Sequence, residues 1–358
     1  MKKRFLTITI LTVISLTSCG TLDTHSTYSD NPNLTSPSID DTRITEHQII
    51  PSPSKNENSI SPIVETFKSV LFNEQTLSFT DKAPNYSKST IHEYNGYIKD
   101  LKSIYDCEYH FTKFSIIDLD GDGIFEIVLY AEGADGYVIL RYKDKKVLAN
   151  YIPNRCFEQL KTTGIFMSSS GADSNSIGKL FFLGDTFFYT EKIQSYYDDY
   201  SISDMPISKK IWDRDFQDFT NLPEVKWFDF SDEAINSELI GILNSADNKS
   251  PSPHTINARQ HYLDSLAYLI DLSSEDMGED YKPYYTASNQ EMNKIYNMCL
   301  KKLKDDKKES LMNSQSKWLE HLKSLLSNDK VPYYKCGNML FRRTFYLVNL
   351  YYDYHFYD

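Results

Sequence analysis

The chain has 358 residues, of which 38 are basic and 50 acidic, giving a net charge of −12. An acidic balance of that size repels phosphate backbones and excludes nucleic acid as the expected partner. Beyond the first eighteen residues, no segment reaches the length of a membrane span.

Lys2, Lys3 and Arg4 form a basic start, and the apolar run "FLTITILTVISL" follows them. That pattern reads as a secretory signal over residues 1–18. It closes on "LTSC" and Gly20, which resembles the lipobox of bacterial lipoproteins. The resemblance implies cleavage before Cys19 and lipid on its thiol, so the expected location is extracytoplasmic, anchored to a bacterial membrane. Removing residues 1–18 takes away three basic residues and no acid, leaving 35 basic against 50 acidic, net −15. Such a surface attracts cationic ligands and basic proteins, mainly by raising association rates.

Residues 19–61 are rich in Ser, Thr, Asn, Asp and Pro and carry no apolar period, which reads as a disordered tether. Ser61 and Pro62 then open a helix with Ile63, Phe67, Val70 and Leu71 on one face. From Tyr109 to Phe230 the chain is strand-like: "HFTKFSII", "IFEIVLY", "GYVILRY", "KVLANYI", "GKLFFL" and "TFFYTEK". "KDK" joins the third and fourth as a hairpin, and a mostly antiparallel sheet is expected. "SDEAINSELIGILNSA" reads as a capped helix closing this region. The expected fold class is therefore α+β, a mostly antiparallel β domain with flanking helices over residues 62–247. A small all-α helical domain over 255–358 follows. "NKSPSPH", Asn248 to His254, marks the boundary, because alternating prolines break helices and central strands. Beyond it, apolar residues recur at helical spacing from Tyr262 to Ile270, from Met292 to Leu303 and from Leu311 to Leu325. "MLFRRTFYLVNLYYDY" supplies a fourth helical segment.

"FSIIDLDGDGIFEIVLY" holds the most specific chemistry. Asp118, Asp120 and Asp122 stand at positions 1, 3 and 5 of a calcium-type loop, with Gly123 at the turn. The Ile124 carbonyl and Glu126 supply further oxygens, as a hard cation requires. Leu129 occupies the place of the bidentate glutamate, and the flanks are strands, so this is not an EF-hand. It resembles the strand–loop–strand "DxDGDGxxE" element of exported bacterial proteins. A metal-free Asp-Gly turn is the plainer alternative. Calcium is the expected cofactor, because the converging carboxylates repel one another without a cation.

After Cys19, the cysteines Cys107, Cys156, Cys299 and Cys336 form an even set in a disulfide-permissive compartment. One bridge per half, Cys107–Cys156 and Cys299–Cys336, is the expected pairing; four free thiols are the alternative.

Residues 289–328 carry a pattern of Met292, Asn293 and Tyr296, followed by Leu311, Gln315 and Trp318. It resembles the LprI family of lysozyme inhibitors, with its "LN..Y" helix followed by an "L...Q..W" helix. The chain departs from the family at His321 and Leu322, where a Tyr-Arg pair is common, and in its cysteine positions. The resemblance implies an LprI-like helical fold and a lysozyme or another basic cell-wall-active protein as partner. An acidic surface would steer onto the enzyme, and a projecting element would occlude its cleft. Independently, Gln315 lies in line with the apolar face at Leu311 and Leu319, so its amide needs a partner. Asn293 is the expected one, with Trp318 filling the seam and Tyr296 beside it. All four read as structural.

Catalysis is not expected. Ser314 and Lys317, "KTTG" at Lys161 to Gly164, and "SDN" at Ser29 to Asn31 are similar to motifs of penicillin-binding enzymes, but in the wrong order. The reading from sequence is a lipid-anchored lysozyme-binding protein. A cell-envelope scaffold or glycan-binding lipoprotein with a structural calcium site is the alternative, its many tyrosines stacking on sugar.

Overall fold

The computed structural model describes residues 60–352, apart from 81–92, 103–107, 133–135, 172, 198, 203, 246–252, 275–280 and 328–332. The signal, Cys19, the tether and Cys107 lie outside the described residues.

Two sheets and two sets of helices stack as layers. Helix α1 (Ile60–Leu71) buries Ile63, Val64, Phe67, Val70 and Leu71. It begins two residues before Pro62, with the proline still in the first turn, where a missing N–H costs nothing. The first sheet combines β1 (Leu77–Thr80), β2 (Glu93–Gly96), β3 (His110–Ile117), β4 (Glu126–Glu132), β5 (Gly136–Lys143), β6 (Lys146–Pro153) and β12 (Phe228–Asp229). Its order is β12-β3-β4-β5-β6-β1-β2. Every pair is antiparallel except β1 with β6. Asp144 and Lys145, at φ 50° and 64°, turn β5 into β6, the left-handed pair that a tight hairpin requires. The second sheet is β11 (Met205–Pro206), β10 (Asp199–Ile202), β9 (Thr186–Tyr196), β8 (Ser174–Leu183) and β7 (Phe166–Gly171) in that order.

Strand alternation explains the layering. Ile127, Leu129, Val138 and Leu140 face α1 and α3 (Asp232–Ser245). Their neighbours Val128 and Ile139 face the second sheet, against Leu180, Phe182 and Phe187. One residue further along those strands, Phe181, Leu183 and Phe188 turn to the C-terminal helices. Helix α2 (Lys209–Thr220) caps the far end of the second sheet with Trp212 and Phe219. The protein is thus α+β.

The C-terminal helices are α4 (Pro253–Asp264), α5 (Ala267–Ser274), α6 (Lys282–Lys302), α7 (Asp305–Leu326) and α8 (Tyr333–Tyr351). The apolar spacing from Tyr262 to Ile270 predicts one helix; a turn at Ser265–Leu266 divides it into α4 and α5. Pro253 and His254, expected at a domain boundary, instead open α4, where proline is tolerated. Phe181, Leu183 and Phe188 of β8 and β9 share one apolar cluster with the helices after residues 246–252, and residues 59–358 form one compact unit.

Helices α6 and α8 run parallel. Tyr284 Oη donates to Asn338 Oδ1 at 2.8 Å near one end, and Cys299 Sγ donates to the Leu347 carbonyl at 3.3 Å near the other. This register overturns the expected Cys299–Cys336 bridge. Cys299 lies level with Leu347, roughly three helical turns, about 16 Å, beyond Cys336. A disulfide needs Cα atoms within about 7 Å. Both thiols are free and buried, and Cys156 is free too; its expected partner Cys107 lies outside the described residues.

The expected partner of Gln315 is also corrected. Asn293 is exposed and bonds back to the Asn289 carbonyl at 2.9 Å. Gln315 instead accepts from Arg343 Nε at 2.9 Å, and its amide lies 3.1 Å from Met292 Sδ. The Arg343 guanidinium also donates to Ser314 Oγ and lies over Trp318 and Tyr346. Met292, Gln315 and Trp318 are buried and Tyr296 is half-buried beside them. Gln315→Ala therefore strands a buried guanidinium donor. Thermal melts should show a loss of about 2–3 kcal/mol, the scale of a hydrogen bond to a charged group, with helical content intact.

Candidate metal centre

The stretch Asp118 to Glu126 links β3 to β4 at an end of the first sheet. Positive φ at Gly121 and Gly123, 71° and 84°, closes the turn. Side-chain oxygens then fold back onto the loop's own amides. The Asp118 carboxylate accepts from Asp122 N and Gly123 N, each at 3.0 Å. Asp120 Oδ1 accepts from Asp122 N at 3.1 Å, and Glu126 Oε2 accepts from Leu119 N at 2.9 Å. Asp118, Asp120 and Glu126 each present an oxygen, and these lie within 4.8 Å of one another. Asp122 stands apart from that set; its Oδ1 accepts from Ile124 N at 2.7 Å and fixes the turn.

Burial makes this loop electrostatically demanding. Asp120 and Glu126 are 0% and 1% exposed. Burial, reinforced by the charge of Asp120, lifts the Asp118 pKa to about 6. Glu126 and Asp122 are pushed well above the usual carboxylate range, by burial first and then by the neighbouring aspartates. Asp120 is raised by burial too, although the positive charges of Arg259 and Arg141 pull it back.

Three cations answer the loop, and the sequence pattern did not single them out. Arg141 on β5 is buried, with its guanidinium over Phe182 and donating to the Gly184 carbonyl. Lys179 on β8 has its pKa lowered to about 8, by burial against the opposing pull of Asp118 and Asp120. Arg259 on α4 donates to the Asp120 carbonyl at 3.4 Å and to Asn349 Oδ1 at 3.0 Å. The signal for Arg141 was its place on the inward face of β5, in register with Ile139. Lys179, in the apolar run "IGKLFFL", carried the same kind of signal. Nearby, Lys143 and Asp264 form an ion pair at 3.3 Å and hold Gly184 between them. On another side, Gly164 at φ 77° lets the backbone close on the loop, since a Cβ there would meet the Leu119 carbonyl at 2.4 Å.

The donor set consists only of carboxylate and carbonyl oxygens around a tight turn, which fits a hard divalent cation and not a soft one. Four carboxylates face three cations, so an added divalent ion would displace protons from the loop.

The LprI-like residues lie on the C-terminal helices, and those of them that converge do so around Arg343. Among the described residues, no helix is long and apolar enough to cross a membrane. Comparisons with protein families, curated proteins and solved structures return no match. The resemblance to LprI therefore rests on its own short spacing.

A pH test follows from the raised carboxylates. In chelator the folded state binds more protons than the unfolded chain between the ordinary carboxylate pKa, near 4, and about 6. Stability must then rise as pH falls through that window. Melting in EDTA should shift upward by a few degrees between pH 7 and pH 5. A monotonic loss on acidification would show that the loop carboxylates are ionised without metal.

Proposed function

We propose that the chain is a lipid-anchored bacterial envelope protein that acts by binding, with calcium held in the β3–β4 loop as a structural ion. The observation that supports the metal is the convergence of Asp118, Asp120 and Glu126 within 4.8 Å in a buried turn. In this reading Asp118, Asp120 and Glu126 hold the ion, the Ile124 carbonyl completes the loop, and Asp122 shapes it. Calcium takes up the carboxylate charge that the surrounding cations leave over, and so removes the mutual repulsion within the loop. At a hundredfold excess over its Kd, calcium stabilises by about 2.7 kcal/mol. Calorimetry of the chelated protein should show calcium raising the melting temperature, and Asp120→Asn should abolish that rise. An unchanged response in the variant would remove the site.

The partner we propose first is a lysozyme or another basic cell-wall-active protein. The mature charge of −15 supports steering toward such a partner, and the LprI-like spacing supports the choice. Core packing of Gln315 and Trp318 leaves the inhibitory surface to exposed residues elsewhere. Lysis of a cell-wall suspension by a basic lysozyme should slow in proportion to added protein, near stoichiometric ratio. Undiminished lysis with folded protein would rule out inhibition.

A second reading, a glycan-binding or scaffolding lipoprotein, is favoured by one specific observation: exposed aromatic side chains gather at the far end of the second sheet, where Tyr196 and Tyr197 are 48% and 64% exposed.

A further inference from the structure

The β9–β10 hairpin and helix α2 enclose a cleft of about 400 Å³, away from the aspartate loop. That volume falls within the roughly 300–1,000 Å³ of small-molecule sites. Four aromatic side chains, Tyr197, Tyr200, Trp212 and Phe216, line it together with Asp173, Asn175 and Ser195.

The aromatic wall is built in sequence order on α2. Trp212 and Phe216 are one turn apart and stack with centroids 5.7 Å apart, and Tyr200 packs on Trp212 at 5.9 Å. Trp212 is anchored in the small core beneath, with Ile177, Ile193 and Phe219. Tyr197 closes the opposite rim. Its backbone is left-handed, φ 50°, and its N–H donates to the Asp173 carbonyl at 2.8 Å. The left-handed φ is what the tight hairpin between β9 and β10 requires, and the ring, 64% exposed, packs edge-on against Tyr196 at 4.8 Å. The floor is polar: Ser195 is buried and donates to the Asn175 carbonyl at 3.3 Å.

This composition selects a ligand class. Among the described residues none of the lining side chains is basic, and Asp173 contributes a negative charge, so phosphates and carboxylates are repelled. A purely apolar ligand would cover the polar side chains of Asp173 and Asn175 without pairing them, at about 1–3 kcal/mol each. A neutral polyol meets both demands. The C–H face of a sugar ring lies on the negative face of an aromatic ring, while its hydroxyls bond to carboxylate, amide and hydroxyl groups. We propose that this cleft binds a short neutral saccharide, with the accessible rings of Tyr197 and Phe216 as stacking walls over the buried Trp212, and Asp173 and Asn175 as hydroxyl acceptors. The inference deepens the second reading above and is independent of the aspartate loop.

The test is a titration of the purified protein with chitotetraose, cellotetraose and maltotetraose, followed by calorimetry and by tryptophan fluorescence. At least one sugar should bind and perturb the emission, and Trp212→Phe should remove the perturbation. Tyr197→Ala and Asp173→Ala, both at exposed positions, should each weaken binding tenfold or more without changing the melting temperature. Absence of binding by all three sugars at millimolar concentration, or equal binding by both exposed-site variants, overturns the assignment. Retention of the protein on purified peptidoglycan, measured in parallel, reports on the second reading separately: retention without sugar binding in the cleft leaves that reading standing and places its contact elsewhere.

Discussion

The fold turns on one buried electrostatic joint. The β3–β4 loop brings four carboxylates to a place where Asp120 and Glu126 are shut off from water. Each buried ion costs several kcal/mol unless it is paired. The cations that answer them come from three other elements: Arg141 from the first sheet, Lys179 from the second, and Arg259 from α4. Arg259 continues to Asn349 on α8, so the joint reaches the last helix. Pulling any of these layers away would leave charge of one sign uncompensated. The loop is therefore less a peripheral hairpin than the point at which the layers are registered. An ion that binds there acts on layer docking as well as on the loop, because both draw on the same charges.

A second buried cation plays the same part within the helices. Arg343 sits between α7 and α8 with Gln315 and Ser314 as acceptors and Trp318 and Tyr346 as faces. A polar centre in an apolar seam fixes one register, since any slip strands the guanidinium. That accounts for the Gln and Trp spacing without reference to a partner. A sequence pattern of this kind reports how helices pack; what they present to solvent is set by other positions.

Much of the layered body was legible because its strands alternate between two apolar layers. "HFTKFSII" is β3 to the residue, β5, β6, β8 and β9 contain the expected runs, and β4 takes up "IFEIVLY" from Glu126 onward. Weakly patterned elements escaped. Strand β1 has four residues and pairs in parallel with β6, a contact that no local signal announces. Helix α2 is highly charged, although Ile211, Trp212, Phe216 and Phe219 repeat at helical spacing and would have revealed it. At the candidate metal centre the carboxylate pattern was local and readable. Its counter-charges were not: Arg141, Lys179 and Arg259 are separated by many residues and meet only after the sheets stack. The Asn293 assignment failed for a similar reason. It took α6 and α7 as an isolated hairpin, whereas α8 runs parallel to α6 and brings Arg343 to Gln315.

Charge also separates the two candidate binding surfaces. The acidic excess is spread over the chain and acts at range, so it speeds the approach of a basic protein and falls off with salt. The saccharide contact proposed for the cleft beside α2 would work at contact distance, through ring faces and hydroxyl acceptors that salt barely affects. A basic enzyme drawn to the surface and a neutral sugar held in the cleft need not compete, since neither requires the residues of the other. Ionic strength is thus the variable that tells them apart: attachment to the cell wall lost at high salt would point to the acidic surface, and attachment that survives would point to neutral contacts, of which the aromatic cleft is the proposed one.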